Sequence, residues 1–346
     1  MHKTWSLYAL LAALRVAGSV FLLGMVHPDE FFQSQEVMAR HVLPIESPLR
    51  RQLFLPFLVA GGPYKLLELL GVQPAGFLLL VLPRLLLCGA SFLIDAVLYA
   101  VVGKLSQVQN QRHTQERQEK ALVLFASSWP TLVFLCRPFS NTFETLVLTL
   151  CFAALFLVNP YRRILGGLLH VQTLLLGSLL AVGFFTRFTF PVFFFALGLE
   201  LVRQQDELLV NAANKKEDEG APSVVRRVVA TIGVLLQGLM AFLWWVLIFV
   251  AMDTLYYRPE LFVKEQNGSL LKRIAENAVV APLNNLFYNM QYDNLELHGV
   301  HPRLTHLTVN MPMLFGPVFL VFLVQFLRYP DRLFFGNACV FFPLTM

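Results

Sequence analysis

Val26-His27-Pro28-Asp29-Glu30-Phe31-Phe32-Gln33 decides how this chain is read. It follows an apolar run over Trp5–Met25 that is long enough, as a helix, to cross a bilayer. Two adjacent carboxylates, a histidine and a glutamine therefore stand at the exit of a membrane span. A transmembrane segment has little structural need for acid at that point, so chemistry is expected there first.

Composition supports the membrane reading. The 346 residues are 56% hydrophobic and 14% charged, with 32 Phe, where an ordinary soluble domain carries roughly 25% charged residues. Mean hydropathy is +0.61. Apolar runs of span length recur along most of the chain, which predicts an all-α polytopic membrane protein in one unit, 1–346. The net charge of +5 is not gathered on one face, which argues against a nucleic-acid partner. The first run is too long for a cleaved signal and lacks a small-residue cleavage site, so it reads as a retained signal anchor. Cys88, Cys136, Cys151 and Cys339 all lie inside apolar stretches, without metal or redox spacing, and read as small core residues.

Spans are expected at 5–26, 76–102, up to 136, at 142–158, 168–185, 191–202, 228–252 and 311–327. Arg15 inside the first is costly unless it meets a partner. Arg84 falls near the start of the second, and Glu144 in the first turn of the fourth. Loop 27–74 contains amphipathic pieces at 31–42 and 53–70, which suit helices lying on the membrane surface. The charged loop 203–227 reads as a flexible, solvated link. A second long loop covers 253–310. The last apolar run, 333–346, is shorter than a span, so the chain is expected to stop partway through one. No internal repeat is visible.

The short basic loops fall on one face, which the positive-inside rule makes cytosolic. Loops 27–74 and 253–310 then share the other face, the lumen if the membrane is that of the endoplasmic reticulum. Asn267-Gly268-Ser269 on that face fits a glycosylation sequon.

Four groups there carry polar chemistry. His27, Asp29, Glu30, Gln33 and Glu36 suit either a helix start, where acids favour the dipole, or a general base at the membrane surface. Arg137 with Asn141, and Arg187 in Thr186-Arg187-Phe188, sit at span ends level with Asp29. They either snorkel or present guanidinium forks to phosphate. His298, His301, Arg303 and His306 precede the last span. A zinc site is disfavoured because Pro302 interrupts a helical face and no cysteine or acid has ligand spacing, so these side chains fit better as donors to a phosphate or sugar. Asp253-Thr254-Leu255-Tyr256-Tyr257 leaves the seventh span, and Pro282 to Asn289 reads as a Pro/Asn-rich turn.

Together these segments resemble a known family. His27-Pro28-Asp29-Glu30 matches the signature of the dolichol-phosphate-mannose-dependent mannosyltransferases of glycosyltransferase family 22, which have a GT-C fold. The string His27 to Met38, HPDEFFQSQEVM, resembles the branch that builds glycosylphosphatidylinositol (GPI) precursors, as does Arg137-Pro138-Phe139-Ser140-Asn141-Thr142. His298 to Asn310, HGVHPRLTHLTVN, is most similar to the members of that branch that add the fourth mannose. Members of the family are longer than this chain. The resemblance implies a GT-C helical bundle with two lumenal loops in the endoplasmic reticulum membrane. It also implies inverting transfer of mannose from dolichol-phosphate-mannose to the third mannose of a GPI precursor, in alpha-1,2 linkage. It implies Asp29 as base, Glu30 as orienter or alternate base, and Arg187, His301 and Arg303 at the phosphate. No metal and no cofactor beyond the donor substrate are expected. Addition of the third mannose, transfer to a lipid-linked oligosaccharide, a polytopic transporter and an inactive short form are the alternatives. Polar groups gathered at one membrane face favour an interfacial enzyme over a transporter.

Overall fold

The computed structural model describes residues 2–26, 30, 38, 52–72, 76–106, 111–214, 222–262, 269–291, 293, 302 and 304–328. These residues are almost wholly helical. Helix α1 spans His2–Phe21. A helical turn Phe54–Pro56 and a π turn Phe57–Gly61 lead directly into α2, Gly62–Leu69. Helix α3 spans Gly76–Ser106 and α4 Gln111–Ala126, followed by a π turn Pro130–Phe134. Then come α5, Ser140–Phe156, α6, Val171–Thr186, α7, Phe190–Asn214, and α8, Val224–Tyr257. A two-residue hairpin, Arg163–Ile164 with Leu169–His170, joins α5 to α6. Beyond α8 lie a 3-10 turn Pro259–Phe262, α9, Leu270–Glu276, and α10, Ala281–Met290. A π turn His306–Asn310, α11, Met311–Phe315, and α12, Pro317–Arg328, follow. Lys3–Phe21, Gly76–Ser106 and Val224–Tyr257 are long and apolar enough to cross a membrane, and α5 and α6 are shorter apolar helices. The protein is an all-α membrane protein.

The contacts fix the order of packing. Helix α6 lies between α5 and α8, and α3 between α1 and α5. Helices α6 and α8 meet backbone to backbone at Gly177, where an added Cβ would stand 2.2 Å from the Gly238 carbonyl oxygen of α8. Small residues at such crossings let backbones meet, which is how helices associate where lipid removes the hydrophobic drive. Gly177→Val is therefore expected to lower stability by about 1–3 kcal/mol, because backbone cannot yield as a side chain would. Gly238→Ala, whose Cβ would meet only Thr173 Cγ2 at 3.7 Å, is expected to melt like the wild type. Thermal unfolding in detergent checks both.

The α1–α3 contact is polar. Arg84, Cys88, Ser91 and Asp95 repeat at four- and three-residue intervals on one stripe of α3. Arg15 donates to Ser91 Oγ at 3.1 Å and pairs with Asp95 at 3.2 Å. Tyr8 Oη donates to Asp95 Oδ2 at 2.7 Å, and the Arg15 guanidinium lies 4.8 Å from the Phe92 ring centre. The partner that Arg15 requires is Asp95, an acid the sequence reading passed over. Pro83 lies inside α3 and has no N–H to give the Leu79 carbonyl. Tyr64 Oη supplies the hydrogen instead, at 2.6 Å, and so ties α2 to α3.

Three expectations are corrected. The two ends of the 203–227 stretch are helical rather than a loose link, since α7 continues to Asn214 and α8 starts at Val224, while 215–221 lie outside the described residues. Arg203 pairs with Glu200 and Glu207, and Arg227 Nε donates to Asp206 at 2.7 Å, so the charges pair along and between helices. The 282–289 stretch is not a turn but most of α10. Pro282 stands in its first turn, where a missing N–H costs nothing. The 311–327 span is divided by Gly316, whose φ of 52° ends α11 just before Pro317. Cys88, Cys136 and Cys151 are buried and free, as expected of core residues, and Cys339 lies outside the described residues.

Chain alternation brings the end of α1, the start of α3, the α4–α5 junction, the α6–α7 corner and the end of α8 to one end of the bundle. Ion pairs and hydrogen bonds described next join the first four of these points, and the Phe185 and Phe249 rings, 5.1 Å apart, join the last turns of α8 to the end of α6. The opposite end holds an amide network: Gln172 Nε2 donates to the Leu155 carbonyl at 2.7 Å, and Gln205 Nε2 to Gln172 Oε1 at 3.1 Å.

Candidate active site

Helix α1 ends at Phe21, and the carbonyls of Leu22 and Gly24 need donors from elsewhere. Two arginines supply them. Arg84 Nη1 donates to the Leu22 carbonyl at 2.8 Å and Nη2 to that of Gly24 at 3.5 Å. Arg137 Nη1 donates to the Gly24 carbonyl at 2.8 Å and Nη2 to that of Leu22 at 3.2 Å. The same guanidinium groups grip Glu30. Arg84 Nε meets Oε1 at 2.6 Å and Arg137 Nη1 meets Oε2 at 2.6 Å. Glu30 and Arg84 are fully buried, and Arg137 is 4% exposed.

The charges in this clamp nearly balance. Two guanidinium cations face one carboxylate, and the carbonyl end of α1 carries the remaining partial negative charge. The two bonds to Glu30, each 2.6 Å, are charge-assisted hydrogen bonds of the strong kind. Neither oxygen of Glu30 is open to a reactant. The clamp instead fixes the chain one residue after Asp29, and consecutive Cα atoms are about 3.8 Å apart.

Arg137 was expected at a phosphate. Its fork is used inside the chain, on Glu30, Leu22 and Gly24. Arg187 differs. It caps the end of α6 in extended conformation. Its Nε lies 3.3 Å from Glu144, Nη1 donates to Ser140 Oγ at 3.4 Å, and its side chain is 33% exposed. Asn141 is exposed in the first turn of α5. Arg187 and Asn141 are therefore held at the α5–α6 edge of this end and reach solvent.

His27, Asp29, Gln33, His298, His301 and Arg303 lie outside the described residues. So do Glu36 and the sequon residue Asn267. His306 opens the π turn His306–Asn310, and its side chain is not described. Among the described residues no three His, Cys, Asp or Glu side chains come together as ligands for a metal ion.

The sequence reading gave no role to two buried charged residues at this end. Arg84 was noted only as a charge near a span start, though an arginine inside an apolar run calls for a partner. Asp253 was quoted but given no role. It is fully buried one turn before the end of α8, and its Oδ1 accepts the Leu53 N–H at 3.2 Å. Its neighbour Thr254, also fully buried, accepts the Val279 N–H at 2.9 Å and donates to the Val250 carbonyl at 2.6 Å. These two residues hold the start of the α2 region and the lead-in to α10 against α8. Met38, Leu53, Ala60, Tyr64, Tyr257 and Val279 pack together there.

The chain is also similar to known proteins. Human GPI alpha-1,2-mannosyltransferase 4 is 34% identical over 314 residues, covering 85% of this chain and 47% of the human protein. GPI mannosyltransferase 4 of Candida glabrata is 29% identical over 306 residues, covering 84% of this chain and 51% of its own length. That of Saccharomyces cerevisiae is 28% identical over 334 residues, covering 93% and 55%. The chain thus spans about half the length of these relatives. No solved structure matches it. The Alg9-like mannosyltransferase family matches residues 6–345. With residues 6–345 matched, the chain belongs to the Alg9-like mannosyltransferase family.

Proposed function

We propose that this protein transfers mannose from dolichol-phosphate-mannose to the third mannose of a GPI-anchor precursor, forming an alpha-1,2 link on the lumenal side of the endoplasmic reticulum membrane. The observation that carries the reading is the Glu30 clamp. It commits one of the two adjacent carboxylates to structure and leaves its neighbour, Asp29, as the acid for chemistry. The names of the relatives supply the acceptor class and the linkage.

The reaction is a single displacement. An acceptor hydroxyl attacks C1 of the donor mannose, and the Asp29 carboxylate takes the hydroxyl proton. The bond from C1 to the phosphate oxygen breaks, and dolichyl phosphate leaves with the electron pair. Attack opposite the leaving group converts a beta donor into an alpha product. Phosphate leaves as a stable anion, so one carboxylate suffices. Arg187, His301 and Arg303 offset the charge that develops on it, with His27, Gln33, Asn141, His298 and His306 as further donors to phosphate or sugar. Groups aimed at developing charge are each worth about 2.7–4 kcal/mol in enzymes of known mechanism. Glu30, Arg84 and Arg137 act by position, since their donors and acceptors are spent on one another.

The test is transfer by the wild-type chain in microsomes that lack the endogenous activity, with labelled dolichol-phosphate-mannose and a GPI precursor carrying three mannoses. One added mannose, removable by an alpha-1,2-specific mannosidase, is the expected product. A folded chain that transfers nothing, or that makes another linkage, contradicts the reading.

A further inference from the structure

Glu30, Asp95, Glu119 and Asp253 are the buried acids among the described residues. Three are matched by donors. Glu30 has Arg84 and Arg137. Asp95 has Arg15 and Tyr8. Glu119, 7% exposed, takes the amide of Gln115 at 3.1 Å. Asp253 is the exception. One oxygen takes a single neutral backbone N–H, from Leu53. The other, Oδ2, is buried with no hydrogen-bond partner among the described residues.

Such a group is expensive. A buried carboxylate without a cation costs several kcal/mol, and an asparagine would hold the Leu53 N–H as well without the charge. Packing therefore gives no reason for an acid here. Position gives one. Asp253 lies at the same end of the bundle as the Glu30 clamp, in the wall where the chain leading to α2 meets the second long loop on the last turns of α8. A buried oxygen without a donor, held where Leu53 meets α8, is what a hydroxyl-rich ligand would complete.

We propose that Asp253 is a second carboxylate of the site and that its Oδ2 accepts a hydroxyl hydrogen from the mannose residues of the acceptor glycan. The inference rests on the mannosyltransferase reading for the identity of the sugar. Asp253 is fully covered, so a sugar reaches it only when the chain at Leu53 lifts from α8. That movement breaks one hydrogen bond, and the ligand replaces it. The residue thus couples seating of the acceptor to the placement of the segment that follows the motif.

Asp253→Asn separates this role from a structural one, because its amide oxygen still accepts the Leu53 N–H. Melting temperature is measured with and without soluble alpha-linked mannotriose, and acceptor and donor KM are measured in the transfer assay. The proposal expects Asp253→Asn to melt at or above the wild-type temperature. It expects mannotriose to raise the melting temperature of the wild type and not of the variant. Acceptor KM rises about tenfold, the loss expected for one hydrogen bond to a charged group, while donor KM is unchanged. A variant that melts well below the wild type, or a mannotriose shift that is equal or absent in both proteins, overturns the proposal. Failure of wild-type transfer refutes the function reading by itself, because the mannotriose comparison decides the Asp253 assignment without any turnover.

Discussion

Glu30→Gln is expected to destabilise the protein by about 3–5 kcal/mol, the range for removing one partner of a buried ion pair. The substitution keeps the shape of the side chain and removes its charge. Arg84 and Arg137 then remain buried beside each other with only neutral acceptors, the Leu22 and Gly24 carbonyls and the one amide oxygen of the glutamine. Two like charges without an anion repel at short range in a medium of low dielectric. A shift of this size is a large share of the stability of an ordinary domain, so the variant accumulates poorly and melts early. Glu30→Leu combined with Arg84→Met and Arg137→Leu should recover part of the loss, since replacing a whole buried ion group by apolar side chains is often neutral. Recovery stays partial because the two carbonyls lose their donors. Thermal unfolding of the three proteins in one detergent checks the order, with the wild type highest, the triple variant next and Glu30→Gln lowest.

Asp29→Asn is expected to do the opposite. The folded protein should melt as the wild type does, because in the proposed mechanism the base is kept for chemistry. Transfer should fall by a factor of about 10²–10⁴, the usual contribution of a positioned general base. An amide cannot accept the acceptor proton, so kcat falls while donor and acceptor KM change little. The contrast between neighbours is the informative part. Two acids joined by one peptide bond are assigned different work, one detected by melting and the other by turnover.

Much of this was legible in the sequence. The apolar runs located the helices, because a bilayer forces the backbone to satisfy itself within the segment. The His27-Pro28-Asp29-Glu30 stretch stood out as acid at a span exit, although one of its two carboxylates, Glu30, serves structure by pairing with Arg84 and Arg137. Arg15 announced that a partner must exist. What stayed hidden was pairing over long separations. Glu30 finds Arg84 54 residues away and Arg137 107 residues away, and no periodicity encodes that. Arg137 therefore read as a phosphate fork when its donors are spent on the chain itself. Asp95 escaped notice as a single acid inside an apolar run. The 282–289 stretch read as a turn from its composition, although proline in a first helical turn and asparagines that bond back within the helix are compatible with α10. Asp253 closed a span in the sequence like any terminal acid. Only its full burial beside one neutral donor sets it apart.

The central claim is the division of labour between Asp29 and Glu30 in a mannosyl transfer. Its most direct test is single-turnover transfer from labelled dolichol-phosphate-mannose by purified wild type and Asp29→Asn at matched folded concentration, with the melting temperature of each recorded in the same buffer. The account predicts equal melting and a single-turnover rate about 10²–10⁴ lower for Asp29→Asn. Transfer by Asp29→Asn at the wild-type rate, with the protein folded, would contradict it.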